Sequence, residues 1–190
     1  GPDRVRRAGC GAHSPCTAEP CGASGGEAAE GVVTHRGPWR PEERHLWVTL
    51  YTDAGWKAGR ARLGFIARGA LEPKWLKGSL TVEAPHSTAA EAHAVLFGVV
   101  RVLEVFQPPE GERLRGCYLR VDCQALVPTI QRFYRDGTLP GDKLGEALTL
   151  AESHGFHLWA KHVRAHGRAK TSKQRWMNGM ADHFGNMRGR

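Results

Sequence analysis

Four acidic residues stand where a folded core has no need of charge. They are Asp53, Glu91, Asp122 and Asp182. Asp53 and Asp122 each follow a β-rich run, whereas Glu91 begins a long apolar-periodic segment and Asp182 lies in an otherwise basic one. Carboxylates that come together repel one another unless a cation lies between them or one is protonated. If the fold gathers them, this pattern predicts a site for divalent cations, which prefer hard oxygen ligands.

Each of these residues also has a purely structural interpretation. Asp53, followed by Ala and Gly, is compatible with turn chemistry, and Asp122 with a helix N-cap. Glu91 is the last residue of a possible capping box that begins at Thr88. Asp182 is compatible with a solvated helix position. The residue types alone leave both interpretations open.

Hydrophobic periodicity indicates the elements that must position these side chains. Strand patterns cover residues 46–52, 62–67, 75–82, 117–121 and 156–161, and helix patterns cover residues 88–106, 124–134, 144–154 and 173–186. Pro128 is expected to shorten or kink the second helix. The predicted order is therefore β-β-β-α-β-α-α-β-α.

This order predicts an α/β fold. Short links between the first three strands predict an antiparallel meander, and the later connections through helices predict parallel strands. We therefore expect a mixed five-stranded sheet flanked by helices. If the first and fourth strands are parallel neighbours, Asp53 and Asp122 emerge at the same edge.

Five short motifs, in this order, resemble those of the ribonuclease H family. They are Thr52-Asp53-Ala54-Gly55, Glu91 in a helix after the third strand, Val121-Asp122-Cys123-Gln124, Val163-Arg164-Ala165-His166-Gly167 and Asn178-Gly179-Met180-Ala181-Asp182. The resemblance spans about residues 46–187 and implies the ribonuclease H-like fold. It also implies an endoribonuclease that hydrolyses the RNA strand of RNA–DNA hybrids with two Mg²⁺ ions, for which Mn²⁺ substitutes.

The resemblance assigns a role to each acidic residue. Asp53 would bridge both metal ions, Glu91 and Asp122 would hold one, and Asp182 the other. His166 would carry a proton or assist product release. The residues expected to contact substrate are Asn178, Gln124, Arg164 and Lys170.

Some positions depart from the family pattern. Ala165 replaces the usual Gly before the histidine, and Cys123 stands where Ser is common. The strongly basic segment that some members use to grip the hybrid is missing between the late helices. Two other functions stay open: a different nuclease of the same fold, such as a DNA resolvase or transposase-type domain, and a non-catalytic nucleic-acid-binding module.

The formal net charge of +8 is unevenly distributed along the chain. Residues 155–190 hold eight basic residues and one acidic residue, and such a patch attracts phosphate backbones. Residues 1–44, rich in Gly, Ala, Ser and Pro over much of their length, predict a flexible arm before a catalytic domain at residues 45–190. Within the arm, Cys10, His13, Cys16 and Cys21 leave a zinc site as an alternative.

Five cysteines, an odd number, favour a reducing compartment, so we expect a cytoplasmic protein. No run of 18 apolar residues occurs, so we expect no membrane span. We expect a monomer whose partner is the RNA–DNA hybrid.

Overall fold

The computed structural model describes residues 41–70 and 75–163. A 3₁₀ turn, Pro41–Leu46, precedes eight regular elements. These elements are β1 (Trp47–Lys57), β2 (Arg60–Gly69), β3 (Leu76–Glu83), α1 (Ser87–Val105), β4 (Gly116–Val121), α2 (Leu126–Asp136), α3 (Lys143–Ser153) and β5 (His157–His162). Residues 1–40 of the predicted arm and the predicted helix over residues 173–186 lie outside the described residues, whereas residues 41–44 of that arm belong to the 3₁₀ turn.

The five strands form one sheet in the order β3-β2-β1-β4-β5. β1 pairs antiparallel with β2, and β2 with β3, whereas β4 pairs parallel with β1 and with β5. This arrangement confirms the predicted mixed sheet of an antiparallel meander followed by parallel strands.

The core lies between one face of the sheet and helices α1 to α3. Val48 and Leu50 of β1 contribute to it from the sheet, and Val95 and Val99 of α1 from the helices, all with almost no exposed surface. The apolar face of α3 packs into the same hydrophobic core through Leu144, Ala147, Leu148 and Ala151. Because strand side chains alternate, the odd-numbered residues of β1 lie on the opposite face.

β1 is longer than its hydrophobic pattern predicts. The apolar pattern stops near Thr52, but antiparallel pairing with β2 continues to Lys57 opposite Arg60. Ala58 and Gly59 then close a two-residue turn with φ values of 50° and 80°, the left-handed region that such hairpins require. The expectation that Asp53 ends the first strand is therefore wrong. Backbone hydrogen bonds to β2 continue the strand beyond its last buried side chains.

Pro128 shortens α2 at its start. The helix begins at Leu126 rather than Gln124, and Pro128 is its third residue. In the first turn an N–H has no partner within the helix, so proline costs little there. Among the described residues, no helix combines the length and apolar character that a membrane crossing requires.

Candidate active site

Two of the predicted acidic residues lie beside each other where the parallel ladder between β1 and β4 ends. The last residue pair in the parallel ladder between β1 and β4 is Thr52 with Val121. Asp53 and Asp122 are the next residues of their chains, so both lie just beyond the end of this ladder. Asp53 also pairs with Gly64 of β2, and the Ala54 N–H donates to its Oδ1 at 2.9 Å. Pairing with β2 therefore fixes the position of the Asp53 backbone.

Glu91 reaches this edge from the second turn of α1. The helix starts at Ser87, and its N-cap is His86, whose Nδ1 accepts from the Ala89 N–H at 3.1 Å. A capping box from Thr88 to Glu91 is therefore not formed. The N-cap of α2 is Ala125, without a side-chain hydrogen bond, so Asp122 does not cap that helix. The local structural interpretations of Glu91 and Asp122 are both wrong.

The carboxylates of Asp53, Glu91 and Asp122 form one cluster. One oxygen from each lies within 4.8 Å of the others, and Asp53 and Glu91 are only 5% and 9% exposed. Two like charges about 4 Å apart repel by about 1 kcal/mol in water and by about 4 kcal/mol at an effective dielectric constant of 20. A divalent cation would relieve this repulsion, and a donor set made only of carboxylate oxygens suits Mg²⁺ or Mn²⁺ better than zinc.

A close helix–strand contact lies behind the cluster. A Cβ atom built on Gly98 would lie 3.0 Å from Leu50 Cδ1 and 3.2 Å from Thr52 Cγ2. Gly98 follows Glu91 by seven residues, about two helical turns, so both lie on the α1 face that packs on β1. The absence of a side chain at Gly98 therefore lets α1 approach the strand that carries Asp53.

Two neighbours of the cluster were not predicted to be part of it. The His162 Nε2 atom lies 3.0 Å from the backbone oxygen of Asp122, a hydrogen bond between the end of β5 and the end of β4. Burial, then the nearby charge of Glu91, raises the pKa of the Cys123 thiol. The His162 ring holds the end of the neighbouring strand. The hydrogen bond from His162 to the Asp122 backbone could be predicted only from the register between β4 and β5.

Gln124 is exposed in the turn between Asp122 and α2. The other predicted site residues lie outside the described residues; they are Arg164, His166, Lys170, Asn178 and Asp182. Their roles remain predictions.

The sequence matches no family model and no curated protein. Solved structures are similar in fold. A ribonuclease H1 isolated from compost by a metagenomic approach, LC11-RNase H1, is 16% identical at a TM-score of 0.53, covering 74% of this chain and 94% of its own. The N-terminal RNase H domain of a Mycobacterium tuberculosis protein is 19% identical at a TM-score of 0.50, covering 73% and 95%.

The fold is that of ribonuclease H. A structure of LC11-RNase H1 in complex with an RNA/DNA hybrid also matches, at 14% identity and a TM-score of 0.50, with 72% of this chain and 94% of that chain covered. The recognition made from five motifs is thus confirmed as an RNase H-like fold. Within this fold, the described part of the chain carries a three-carboxylate cluster suited to a divalent cation.

Proposed function

We propose that this protein is a metal-dependent endoribonuclease that hydrolyses the RNA strand of RNA–DNA hybrids. The observation that carries the proposal is the cluster of Asp53, Glu91 and Asp122, with oxygens within 4.8 Å of one another, on an RNase H-like fold. A partly buried cluster of like charges destabilises a protein, so its presence favours a functional role.

The three carboxylates would hold a divalent cation, and Asp182 is proposed as a fourth ligand. When bound, divalent cations neutralise charge on the scissile phosphate and provide a nucleophilic water at neutral pH. Asp53 would be the ligand shared by two such ions, as the resemblance to the ribonuclease H family implies. Mg²⁺ is the proposed ion, with Mn²⁺ as a substitute. His166 is proposed to carry a proton to or from the reacting oxygens.

Choice of substrate is proposed to depend on the 2′-hydroxyl groups of the RNA strand, which distinguish RNA from DNA. Asn178 and Gln124 offer amides that can contact such groups, and Arg164 and Lys170 offer charge for the backbone. The hybrid bound to LC11-RNase H1 supports this choice of partner by fold similarity. We also propose that the enzyme acts as a monomer in the cytoplasm.

The test is a cleavage assay on matched duplexes. An RNA–DNA hybrid, an RNA duplex and a DNA duplex of one sequence are incubated with the protein, with Mg²⁺ and with EDTA. We expect cleavage of the RNA strand of the hybrid only, and only with metal. Equal cleavage of the DNA duplex would assign the protein to the DNA resolvase or transposase type, and binding without cleavage would make it a nucleic-acid-binding module.

A further inference from the structure

The basic residues of the sheet all lie on one of its faces. Strand pairing places laterally paired residues on the same face, and alternation places every second residue there. All Lys and Arg residues of the five described strands fall on the face opposite α1: Lys57, Arg60, Arg62, Arg68, Lys77, Arg120 and Lys161. Asp53 lies on this face as well.

Three of these cations lie at the tip of the β1–β2 hairpin. Lys57 pairs with Arg60 at the tip, and Arg62 pairs with Gly55 two residue pairs behind it. Asp53 lies a further two pairs away from the tip, opposite Gly64. At about 3.3 Å per residue, the tip extends about 13 Å beyond Asp53. Lys57 and Arg60 are exposed and Arg62 is half-buried. Glu83 is the acidic residue opposite Arg60 on β3, yet within the described ranges none of the three cations forms an ion pair with an acidic side chain.

The hairpin is held in place from the side. The Ala84 N–H donates to the Gly59 carbonyl at 3.0 Å, and the Trp56 Nε1–H donates to the Ala84 carbonyl at 2.8 Å. Both backbone polar groups of Ala84, in the link between β3 and α1, therefore bind the hairpin. This link leads directly into the helix that carries Glu91. The tip cations are thus fixed relative to the carboxylate cluster.

We propose that the β1–β2 hairpin tip binds the phosphate backbone of the nucleic-acid duplex next to the scissile bond. The inference rests on the proposed function, since it takes the hybrid as the bound polyanion. Cations held on a rigid hairpin about 13 Å from the cluster can neutralise phosphates of the strand under attack without touching the reacting phosphate. The hairpin supplies a grip that the described segment between α2 and α3 does not offer, because residues 137–142 contain no Lys or Arg.

The experiment compares two variants of equal charge change in the full chain. The hairpin variant carries Lys57→Gln, Arg60→Gln and Arg62→Gln. The control variant carries Arg101→Gln, Arg113→Gln and Arg115→Gln, which remove two exposed and one half-buried cation on the α1 C-terminal segment and before β4, away from the carboxylate edge. Affinity for a fluorescent hybrid is measured by anisotropy in EDTA over a series of salt concentrations, so binding is read without cleavage. KM and kcat are measured with Mg²⁺.

We expect the hairpin variant to bind more weakly and to lose about 1 from the slope of log affinity against log salt for each phosphate contact removed, or about 3 in total. KM should rise while kcat at saturation stays near that of the unmodified protein. The control variant should keep most of the slope. Equal slopes for the hairpin variant and the unmodified protein, with both folded by circular dichroism, would refute the hairpin grip.

A second variant tests the tether of the hairpin. Trp56→Phe keeps an aromatic ring but removes the donor to Ala84, so we expect a raised KM with the salt slope retained, because all three cations remain. No change in KM would show that the tether does not position the tip. Absence of cleavage by the unmodified protein would instead contradict the proposed function, and the anisotropy comparison would still decide whether the tip binds duplex.

Discussion

At the scale of single residues, the cluster joins side chains from a strand, a helix and a loop. The sequence identified Asp53, Glu91 and Asp122 through their types and neighbouring motifs. The expectation that β1 and β4 are parallel neighbours is confirmed, and it explains why Asp53 and Asp122 meet. The sequence did not disclose the close packing of α1 on β1 at Gly98, which brings Glu91 to them. The hydrogen bond from His162 to the Asp122 backbone could not be predicted either, since it depends on which residue of β5 lies opposite Val121.

Asp53→Asn separates metal binding from stability. The amide keeps the oxygen that accepts from Ala54, so the backbone geometry is preserved. We expect cleavage to fall by at least about 10²–10³-fold. Removing one charge from the cluster should raise the free energy of unfolding of the metal-free protein by about 1 kcal/mol, or about 2–4 °C in melting temperature. Calorimetry in EDTA measures the shift.

Glu110→Gln is the control for Asp53→Asn, because Glu110 is an exposed acidic residue outside the cluster. It should leave both melting temperature and cleavage unchanged. A lower melting temperature for metal-free Asp53→Asn would contradict the argument from clustered charge.

The histidines are expected to differ in their effect on rate. General acid–base help is worth about 10²–10⁴-fold, and solvent can partly replace a proton carrier, so His166→Ala should retain weak cleavage, about 10²-fold below the unmodified protein. His162→Ala loses a hydrogen bond to the Asp122 backbone, which costs about 0.5–1.5 kcal/mol of stability, and should keep most of the activity. His157→Ala lies at the other end of β5 and should cleave normally.

These rates are compared at saturating Mg²⁺, with hybrid affinity measured separately. If His166→Ala cleaves like the unmodified protein while His162→Ala is inactive, the assignment of the loop histidine is shifted and His162 takes that role.

At the scale of elements, the apolar pattern predicted the existence and type of every strand and α-helix in the described residues, but not the 3₁₀ turn Pro41–Leu46. The predicted boundaries differ by a few residues where pairing rather than burial decides. β1 runs on to Lys57 because β2 pairs with it, although residues 56 and 57 are exposed. α1 begins one residue earlier than predicted because His86, an uncommon N-cap, accepts from the helix. Neither the extension of the β1–β2 hairpin nor the His86 N-cap produces an apolar pattern in the sequence from which it could be predicted.

Gly98→Ala tests whether the packing of α1 positions Glu91. The new Cβ would lie 3.0 Å from a Leu50 side chain that is fully buried, so either this side chain or the helix must shift by a few tenths of an ångström. Overpacking costs about 1–3 kcal/mol, and the better helix propensity of Ala returns up to about 1 kcal/mol. We expect a net loss of about 1 kcal/mol in urea denaturation and a several-fold weaker Mn²⁺ affinity by titration calorimetry.

Gly141→Ala is the matched control for Gly98→Ala, because nothing lies within 4 Å of its added Cβ atom and its backbone conformation is ordinary. It should leave stability and metal affinity near their original values. If Gly98→Ala lowers stability but binds Mn²⁺ with unchanged affinity, this contact supports the fold without setting the position of Glu91.

At the scale of the whole molecule, two partly buried histidines make stability depend on pH. Burial lowers the pKa of His157, which stacks on Tyr134 at 4.0 Å between ring centroids, and burial followed by the charge of Lys143 lowers the pKa of His93. The unfolded chain therefore takes up protons first as the pH falls past the ordinary value of 6.5. Stability is complete above that pH and declines as the pH drops towards the folded-state values.

His157→Phe keeps an aromatic ring against Tyr134 and removes one of these titrations. We expect its free energy of unfolding to fall less between pH 7.5 and pH 5.0 than that of the unmodified protein, as measured by urea denaturation at both values. An identical fall in the two proteins would show that His157 takes no part in the pH dependence.

The contacts of residues 43–46 indicate how much of the chain the fold needs. Residues 43–46 are fixed to the segment before β4: the Arg115 N–H donates to the Leu46 carbonyl at 2.9 Å, and His45 contacts Glu112 at 2.8 Å. Deletion of residues 1–40 keeps all these contacts. We therefore expect residues 41–190 to melt within a few degrees of the full chain and to cleave short hybrids at an unchanged rate. The zinc content of the full chain completes the test, because one equivalent of zinc, lost on substitution of Cys10 and Cys16, would replace the predicted flexible arm by a metal-bound unit.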